Sequence, residues 1–342
     1  MKKNRVLVLT HRDLTPKEGV GSREVRPEWR MEWDVVTNLE KRGHDLMLIE
    51  VHDDLTPIRQ ALDEFHPTIV FNLLEAFDDI VIFDQNVVSY LELLRVPYTG
   101  CNPRGMTLAR DKSLARKLLA YHRIPSPDFT VVGIDRKPVV PRRLSYPLIV
   151  KSLTYEASAG ISQASVVENE EQLAKRVRFI HETLFTPAIV EQYIEGRELY
   201  VGVLGNHRLR VFPVWEMSFE KMQGDNWHIA TERVKWNVGY QKRHGIDTAE
   251  AKLPPGVAER IQHLAKRTYR ALELSGYARI DFRMDAEGRP YVIEANPNPQ
   301  LAKEEDFAQS AIRAKMSYPM LLERIMALGA QWHPARDALR EG

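Results

Sequence analysis

Two carboxylates and an amide, Asp281, Glu294 and Asn296, lie in the stretch RIDFRMDAEGRPYVIEANPNPQL, inside two short apolar runs joined by DAEG. Strand alternation puts Arg279, Asp281 and Arg283 on one face and Ile280, Phe282 and Met284 on the other, and gives Val292, Glu294 and Asn296 a common face. A fold at DAEG brings Asp281 opposite Glu294 at about 5 Å, where like charges repel. A divalent cation between them removes the repulsion. The three side chains offer oxygen alone, which suits Mg²⁺, Mn²⁺ or Ca²⁺ and not zinc. A second reading pairs the acids with Arg279 and Arg283 on the solvent face of an ordinary hairpin.

Other residues fit chemistry on a phosphate. Lys112 follows Asp111 in a helical stretch, and Lys151 ends the apolar run PLIV, where a buried ammonium demands an anionic partner. On an edge strand the same lysine would snorkel to water. Nine residues on, EASAGIS joins Ser158 to Gly160 in a small-residue loop whose backbone N–H groups can approach phosphate oxygens. VEQYIEGREL carries Glu191 and Glu198 around a glycine turn, either to read an adenine edge and ribose hydroxyls or as solvated glutamates. The phosphate-binding pattern GxxxxGK[ST] is missing, as are GxSxG, HExxH and CxxC.

The elements that must position these residues are legible as patterns. RVLVL, DLMLIEV and TIVFNLL read as buried strands, with helices at residues 27–43 and in PIRQALDEF, so the first hundred residues read as a doubly wound parallel sheet. GVGSRE lies ten residues past the first strand and lacks a third glycine, which makes it a flexible loop and not a dinucleotide loop. One helix is expected over residues 106–123, then a small α+β unit to about residue 185. Further strands, a helix from PPGVAERIQ onward, the acid-bearing hairpin and a last helix from about residue 307 complete the chain.

Composition bounds the rest. The 342 residues suit two or three packed units. Forty-eight basic against 47 acidic residues give a net charge of +1, which offers no general reason to expect nucleic acid or an anionic membrane as partner. No apolar run approaches the ~18 to 20 residues of a membrane span. The single cysteine, Cys101, fits a reducing compartment, and the cytoplasm is the expected location.

Taken in order, FNLLEAF, YLELLRVPYTG, ARDKSLARKLLAYHRIPSPDF, PLIVKS, VEQYIEGREL and ARIDFRMDAEGRPYVIEANPNP resemble the ATP-grasp superfamily, most closely its D-alanine:D-alanine ligase branch, over residues 70–300. The resemblance implies an α/β and α+β fold of ATP-grasp architecture. Its expected units are an N-terminal Rossmann-like (preATP-grasp) parallel-sheet domain at 1–104, a small central subdomain at 105–185, and a C-terminal subdomain with the metal and ATP site at 186–342. It implies that Lys112 and Lys151 hold ATP phosphates, with Ser158 on the nucleotide side of its loop. Glu191, with the backbone of Tyr193 and Ile194, would read adenine, and Glu198 would bind the ribose. Asp281, Glu294 and Asn296 would ligate two Mg²⁺ (or Mn²⁺) ions, and Arg279 would brace the phosphoryl group in transfer. Lys235, in ERVKWNVGY, matches a lysine on a loop that closes over the nucleotide, and Glu24 or Glu28 matches the glutamate that grips the first substrate's amino group. The implied reaction phosphorylates a carboxylate with ATP and then forms an amide with an amine, on amino acids or peptides. A homodimer through the N-terminal region is implied too.

Three positions depart from the D-alanine pattern. Ala157 stands for a substrate-orienting serine, Trp236 for the tyrosine beside the closing lysine, and Glu305 for the serine that binds the second D-alanine's carboxylate. A carboxylate at 305 would repel that group by roughly 1 to 4 kcal/mol at surface-like dielectric. The expectation is therefore a ligase whose product is not D-alanyl-D-alanine. The alternatives are a D-alanine:D-alanine ligase proper and a non-catalytic ATP-binding regulatory protein. Arg26, Arg30 and the basic residues around Lys235 suit either a substrate with extra negative charge or a solvated loop.

Overall fold

The computed structural model describes residues 3–16, 25–155, 160–219, 227, 229 and 246–334. The apolar run at the N-terminus forms β1 (Arg5–His11), fully buried from Val6 to Thr10. A 3₁₀ turn at Pro27–Trp29 leads into α1 (Arg30–Lys41), followed by β2 (Asp45–Val51), α2 (Thr56–Phe65) and β3 (Ile69–Asn72). The three strands are parallel in the order β2-β1-β3. Strands therefore flank β1 on both sides, and its carboxyl end is where the direction of winding reverses.

Next come α3 (Asp84–Leu93), α4 (Pro103–Arg110) and α5 (Lys112–Tyr121). The single helix expected over 106–123 is interrupted at Asp111, whose ψ is 100° and whose carboxylate accepts the backbone N–H groups of Ser113 and Leu114. A side chain that caps a helix competes with continuing one. The break sets Lys112 at the first position of α5 and Arg116 one turn later on the same face.

A second sheet is antiparallel, built from β4 (Phe129–Val132), β5 (Leu148–Ser152), β6 (Val166–Val167) and β7 (Ala188–Gln192) in the order β4-β7-β5-β6. The helix α6 (Glu170–Leu184), capped by Asn169, packs on it through Leu173, Val177 and Ile180. This unit has its own apolar core. Because β5 is an interior strand, Lys151 cannot snorkel past a sheet edge.

The third sheet holds β8 (Arg197–Leu204), β9 (Arg210–Val211), β10 (Trp215–Phe219), β11 (Ile246–Glu250), β12 (Tyr277–Met284) and β13 (Pro290–Pro297). Its order is β11-β10-β8-β12-β13, with β9 on β8. The helix Val257–Ala271 covers its apolar face with Ile261, Leu264 and Ala265. One core runs from Leu7 and Val70 of the parallel sheet through Ala115 and Leu119 of α5 to Val201, Ile280 and Phe282. The expected last helix is two, Asp306–Arg313 and Tyr318–Gln331. Lys315 turns left-handed between them at φ 61°, and Pro319 sits in the first turn of the second, where its missing N–H costs nothing. No helix among the described residues is long and apolar enough to cross a membrane.

Candidate active site

The β12–β13 hairpin pairs as its sequence suggests, with Asp281 opposite Glu294 and Arg279 opposite Asn296. The register then slips, so that Phe282 faces Val292 and Ile293 is the extra residue of a β-bulge. The slip moves Val292 off the acidic face, where alternation placed it, into the core beside Phe282. Glu294 and Asn296 stay with Asp281, and Ile293 turns to line a cleft. Bulges re-aim side chains in this way.

Burial separates the two readings of the acids. Asp281 and Arg283 are each 6% exposed, so this face is not a solvent face. It closes one wall of a cleft whose opposite wall is the four-stranded sheet, and Lys112, Lys151, Glu191, Glu198, Asp281 and Glu294 all line it. Tyr193, Ile194, Ile149 and Ile161 supply an apolar side to the same cleft.

Lys151 finds the anion that its burial requires in Glu191, with Nζ donating to Oε2 at 2.9 Å. Arg116 donates Nε–H to the other oxygen at 2.7 Å and reaches on to the carbonyl of Ile293 at the bulge. Glu191 has no exposed surface. Burial alone would raise its pKa, but the charges and hydrogen bonds of Arg116 and Lys151 overcome that and hold it at about 2. Arg116 is the residue that sequence reasoning missed; its one signal was a second cation one helical turn beyond Lys112.

Lys112 donates to the carbonyl of Tyr155 at 2.6 Å and lies 3.2 Å from Glu294 Oε1. Arg279 clamps Asp281 through two hydrogen bonds of 2.8 and 2.9 Å and stacks over the Tyr200 ring at 4.6 Å. Burial works to lower the Arg279 pKa, yet the Asp281 charge and hydrogen bonds raise it on balance. Asn296 donates its amide N–H to Asp281 Oδ2 at 2.9 Å. Glu198 accepts from Arg283 at 2.9 Å and from the Tyr200 hydroxyl at 2.8 Å. The turn that carries Glu198 there needs Gly196, at φ 138°, because a Cβ would come within 2.0 Å of the Met284 carbonyl oxygen. Tyr193 packs edge-on against Trp227, and its backbone N–H donates to the Pro147 carbonyl at 3.3 Å.

The oxygen-only set of Asp281, Glu294 and Asn296 fits a hard divalent ion, and the adjoining Lys112 and Lys151 fit polyphosphate. A second cleft abuts the Arg279 end of this face. Glu75, Asp79, Asp247, Glu304, Glu305 and Asp306 line it, with Arg110, Arg279 and His11 as counterweights. Arg110 is itself held by Asp84, another lining acid, at 2.6 Å. Glu305 lines this cleft with its surface still open to solvent, and its pKa is raised, first by the desolvation of a carboxyl crowded by its neighbours and then by Asp306, with Arg279 opposing. Arg26 lies over the Trp29 ring, and Arg30 reaches Asp34 and the lining acid Glu304, each at 3.5 Å, so the described lining is acid-rich with Glu304 partly offset. Glu28 is exposed and lines neither cleft. Glu24, Ala157, Ser158, Lys235 and Trp236 lie outside the described residues.

Residues 118–327, more than half the chain, match the family model D-ala D-ala ligase C-terminus. A D-alanine–D-alanine ligase of Bordetella avium is 32% identical over 71% of this chain and 73% of its own. The protein y4sG of Sinorhizobium fredii is 30% identical over 88% of this chain and 87% of its own. In structure, the D-alanine–D-alanine ligase of Bacillus anthracis complexed with ATP superposes with a TM-score of 0.75 at 22% identity, covering 97% of this chain and 99% of that one. The protein is an ATP-dependent carboxylate–amine ligase and belongs to the D-alanine–D-alanine ligase family of ATP-grasp enzymes.

Proposed function

We propose that the ligase joins an amino acid or peptide carboxylate to an amine through an acyl phosphate, and that its product is not D-alanyl-D-alanine. The observation that carries this is the charge of the second cleft. An amino acid carboxylate brought beside Glu305 meets repulsion of roughly 1 to 4 kcal/mol for a close pair at surface-like dielectric. Asp247 adds to it, while Glu304 and Asp306 are partly offset by Arg30 at 3.5 Å and Arg279 at 4.0 Å. An amine-bearing acceptor is favoured by the same field. The competing reading, D-alanyl-D-alanine as product, draws support from relatives that carry the name D-alanine–D-alanine ligase.

The roles proposed for this chain's residues follow from where charge must be balanced. Lys112 and Lys151 hold the ATP phosphates, Glu191 and the backbone of Tyr193 and Ile194 border adenine, and Glu198 takes the ribose. Asp281, Glu294 and Asn296 hold Mg²⁺, which when bound screens the charge of the phosphates. Arg279 lies between the two clefts, where a phosphoryl group leaves ATP for a carboxylate; a guanidinium fork there neutralises developing charge. The cleft walls keep water from the activated acyl group, so that an amine attacks it.

The test supplies the purified chain with ATP, Mg²⁺ and pooled amino acids and dipeptides, reading ADP release and new amide masses. The expected result is turnover with an acceptor other than D-alanine. Efficient formation of D-alanyl-D-alanine would refute the argument from Glu305, and ATP binding without turnover from any pool would favour a regulatory role. The substitution Asp281→Asn is expected to lower turnover at least 100-fold, and full activity in that variant would refute the metal assignment.

A further inference from the structure

At the carboxyl ends of the parallel strands, away from the acids of β12 and β13, two histidines and an aspartate converge. His11 ends β1, His52 follows β2, and Asp79 sits in the tight turn after β3 that is pinned by the Asp78 N–H donating to the His52 carbonyl. The two imidazoles are mostly buried, at 14% and 12% side-chain exposure, and stand edge to face with centroids 5.3 Å apart.

The ring nitrogens and the carboxylate oxygen form a nearly equilateral triangle. His11 Nε2 is 3.3 Å from His52 Nδ1 and 3.4 Å from Asp79 Oδ1, and His52 Nδ1 is 3.8 Å from that oxygen. The point equidistant from all three lies about 2.0 Å from each, the bond length of zinc to imidazole nitrogen and carboxylate oxygen. We propose that His11, His52 and Asp79 bind a divalent transition-metal ion of the zinc class. Two imidazoles and one carboxylate are donors that such ions prefer over Mg²⁺.

Two further features agree with it. In open parallel sheets, ligands settle outside the strand ends where winding reverses, and β1 marks that point here. His11 and Asp79 also line the acid-rich cleft, so the ion sits at its rim with one side toward the cleft's occupant. One contact changes on loading: the far nitrogen of His11, Nδ1, accepts the Asp13 backbone N–H at 3.4 Å, with the Asp13 carboxylate at 3.8 Å. A metal at Nε2 puts the proton on Nδ1, so loading breaks that hydrogen bond and leaves Nδ1–H to the Asp13 carboxylate 3.8 Å away. His52 also approaches Asp53 and Asp78, but that set holds one imidazole where this one holds two.

The proposal does not depend on the ligase reading, and its test reads metal directly. An untagged full-length chain, stripped with chelator, is titrated with Zn²⁺ by calorimetry and with Co²⁺ by visible absorption. One equivalent is expected to bind with the absorption of a nitrogen-containing, low-coordinate site, and Asp281→Asn is expected to leave it intact. His52→Ala and the exposed-site change Asp79→Ala should each weaken Zn²⁺ binding about 100-fold or more. Stoichiometric Zn²⁺ binding that survives Asp79→Ala and His52→Ala unchanged would overturn the assignment. So would a wild type that binds no Zn²⁺, leaving a plain hydrogen-bonded His-His-Asp cluster. Because Asp79 is 71% exposed, its replacement removes no packing, and the strain of alanine at its φ of 56° is read separately from the melting temperature.

Discussion

The substitution Glu191→Gln keeps the side chain's shape and removes its charge, leaving Lys151 and Arg116 facing a neutral amide. The folded-state pKa of about 2 lies below the ordinary 4.5, so this carboxylate contributes stability that is complete above pH 4.5 and lost as pH falls through 2. At about 1.4 kcal/mol per unit, the contribution near neutrality is about 3 kcal/mol. Breaking a buried ion pair by removing one partner costs a similar 3 to 5 kcal/mol or so. Linkage leaves about 2 kcal/mol of it at pH 3.5. Urea unfolding followed by tryptophan fluorescence at the two pH values measures both numbers. The variant should lose about 3 kcal/mol at pH 7, and the gap should narrow by about 1 kcal/mol at pH 3.5. A gap under about 1 kcal/mol at pH 7, or one indifferent to pH, would show that the two cations do not rely on this carboxylate.

Two further outcomes are expected. Glu32 in α1 is 1% exposed, and burial pushes its pKa up to about 8, its own backbone opposing and Glu75 adding. A raised acid holds a proton in the folded state that the unfolded chain surrenders above pH 4.5, so stability falls as pH rises from 4.5 to 8, by at most about 5 kcal/mol. Glu32→Gln should melt higher than wild type at pH 8 and level with it near pH 4; equal melting at pH 8 would contradict the shift. Cys101 is fully buried, with its thiol pushed up to about 12, so a thiol-reactive disulfide should label it only in urea. Rapid labelling of the native chain would show an opening at the Gly100 to Asn102 segment.

The hairpin was legible because strand alternation and a short turn suffice to oppose Asp281 and Glu294, and the apolar run before Lys151 forecast a buried anion at its amine. Alternation cannot foresee an inserted residue, so it puts Val292 on the acidic face and gives no sign of the bulge at Ile293. The break at Asp111 was hidden because leucines on both sides keep helical spacing, while the decisive fact is a carboxylate turning back on two N–H groups. Arg116 and Glu191 are 75 residues apart, and Arg116 reaches Ile293 across 177. Neither distance leaves a periodic trace. The acid-rich cleft is assembled from residues between His11 and Asp306, so its charge exists only in the folded chain.

The double reach of Arg116 has a consequence for tolerance. The hydrophobic drive behind an apolar seam is non-directional and by itself fixes no exact register. The four-stranded sheet keeps its own core, and Arg116 ties the Glu191 strand to the bulge of the large sheet by directional, charge-assisted hydrogen bonds. The spacing between the cleft's walls is thereby gauged by one rigid guanidinium, more finely than greasy contact could set it. A residue that lines neither cleft thus bears on a spacing in which a ~1 Å error separates a productive from an idle arrangement.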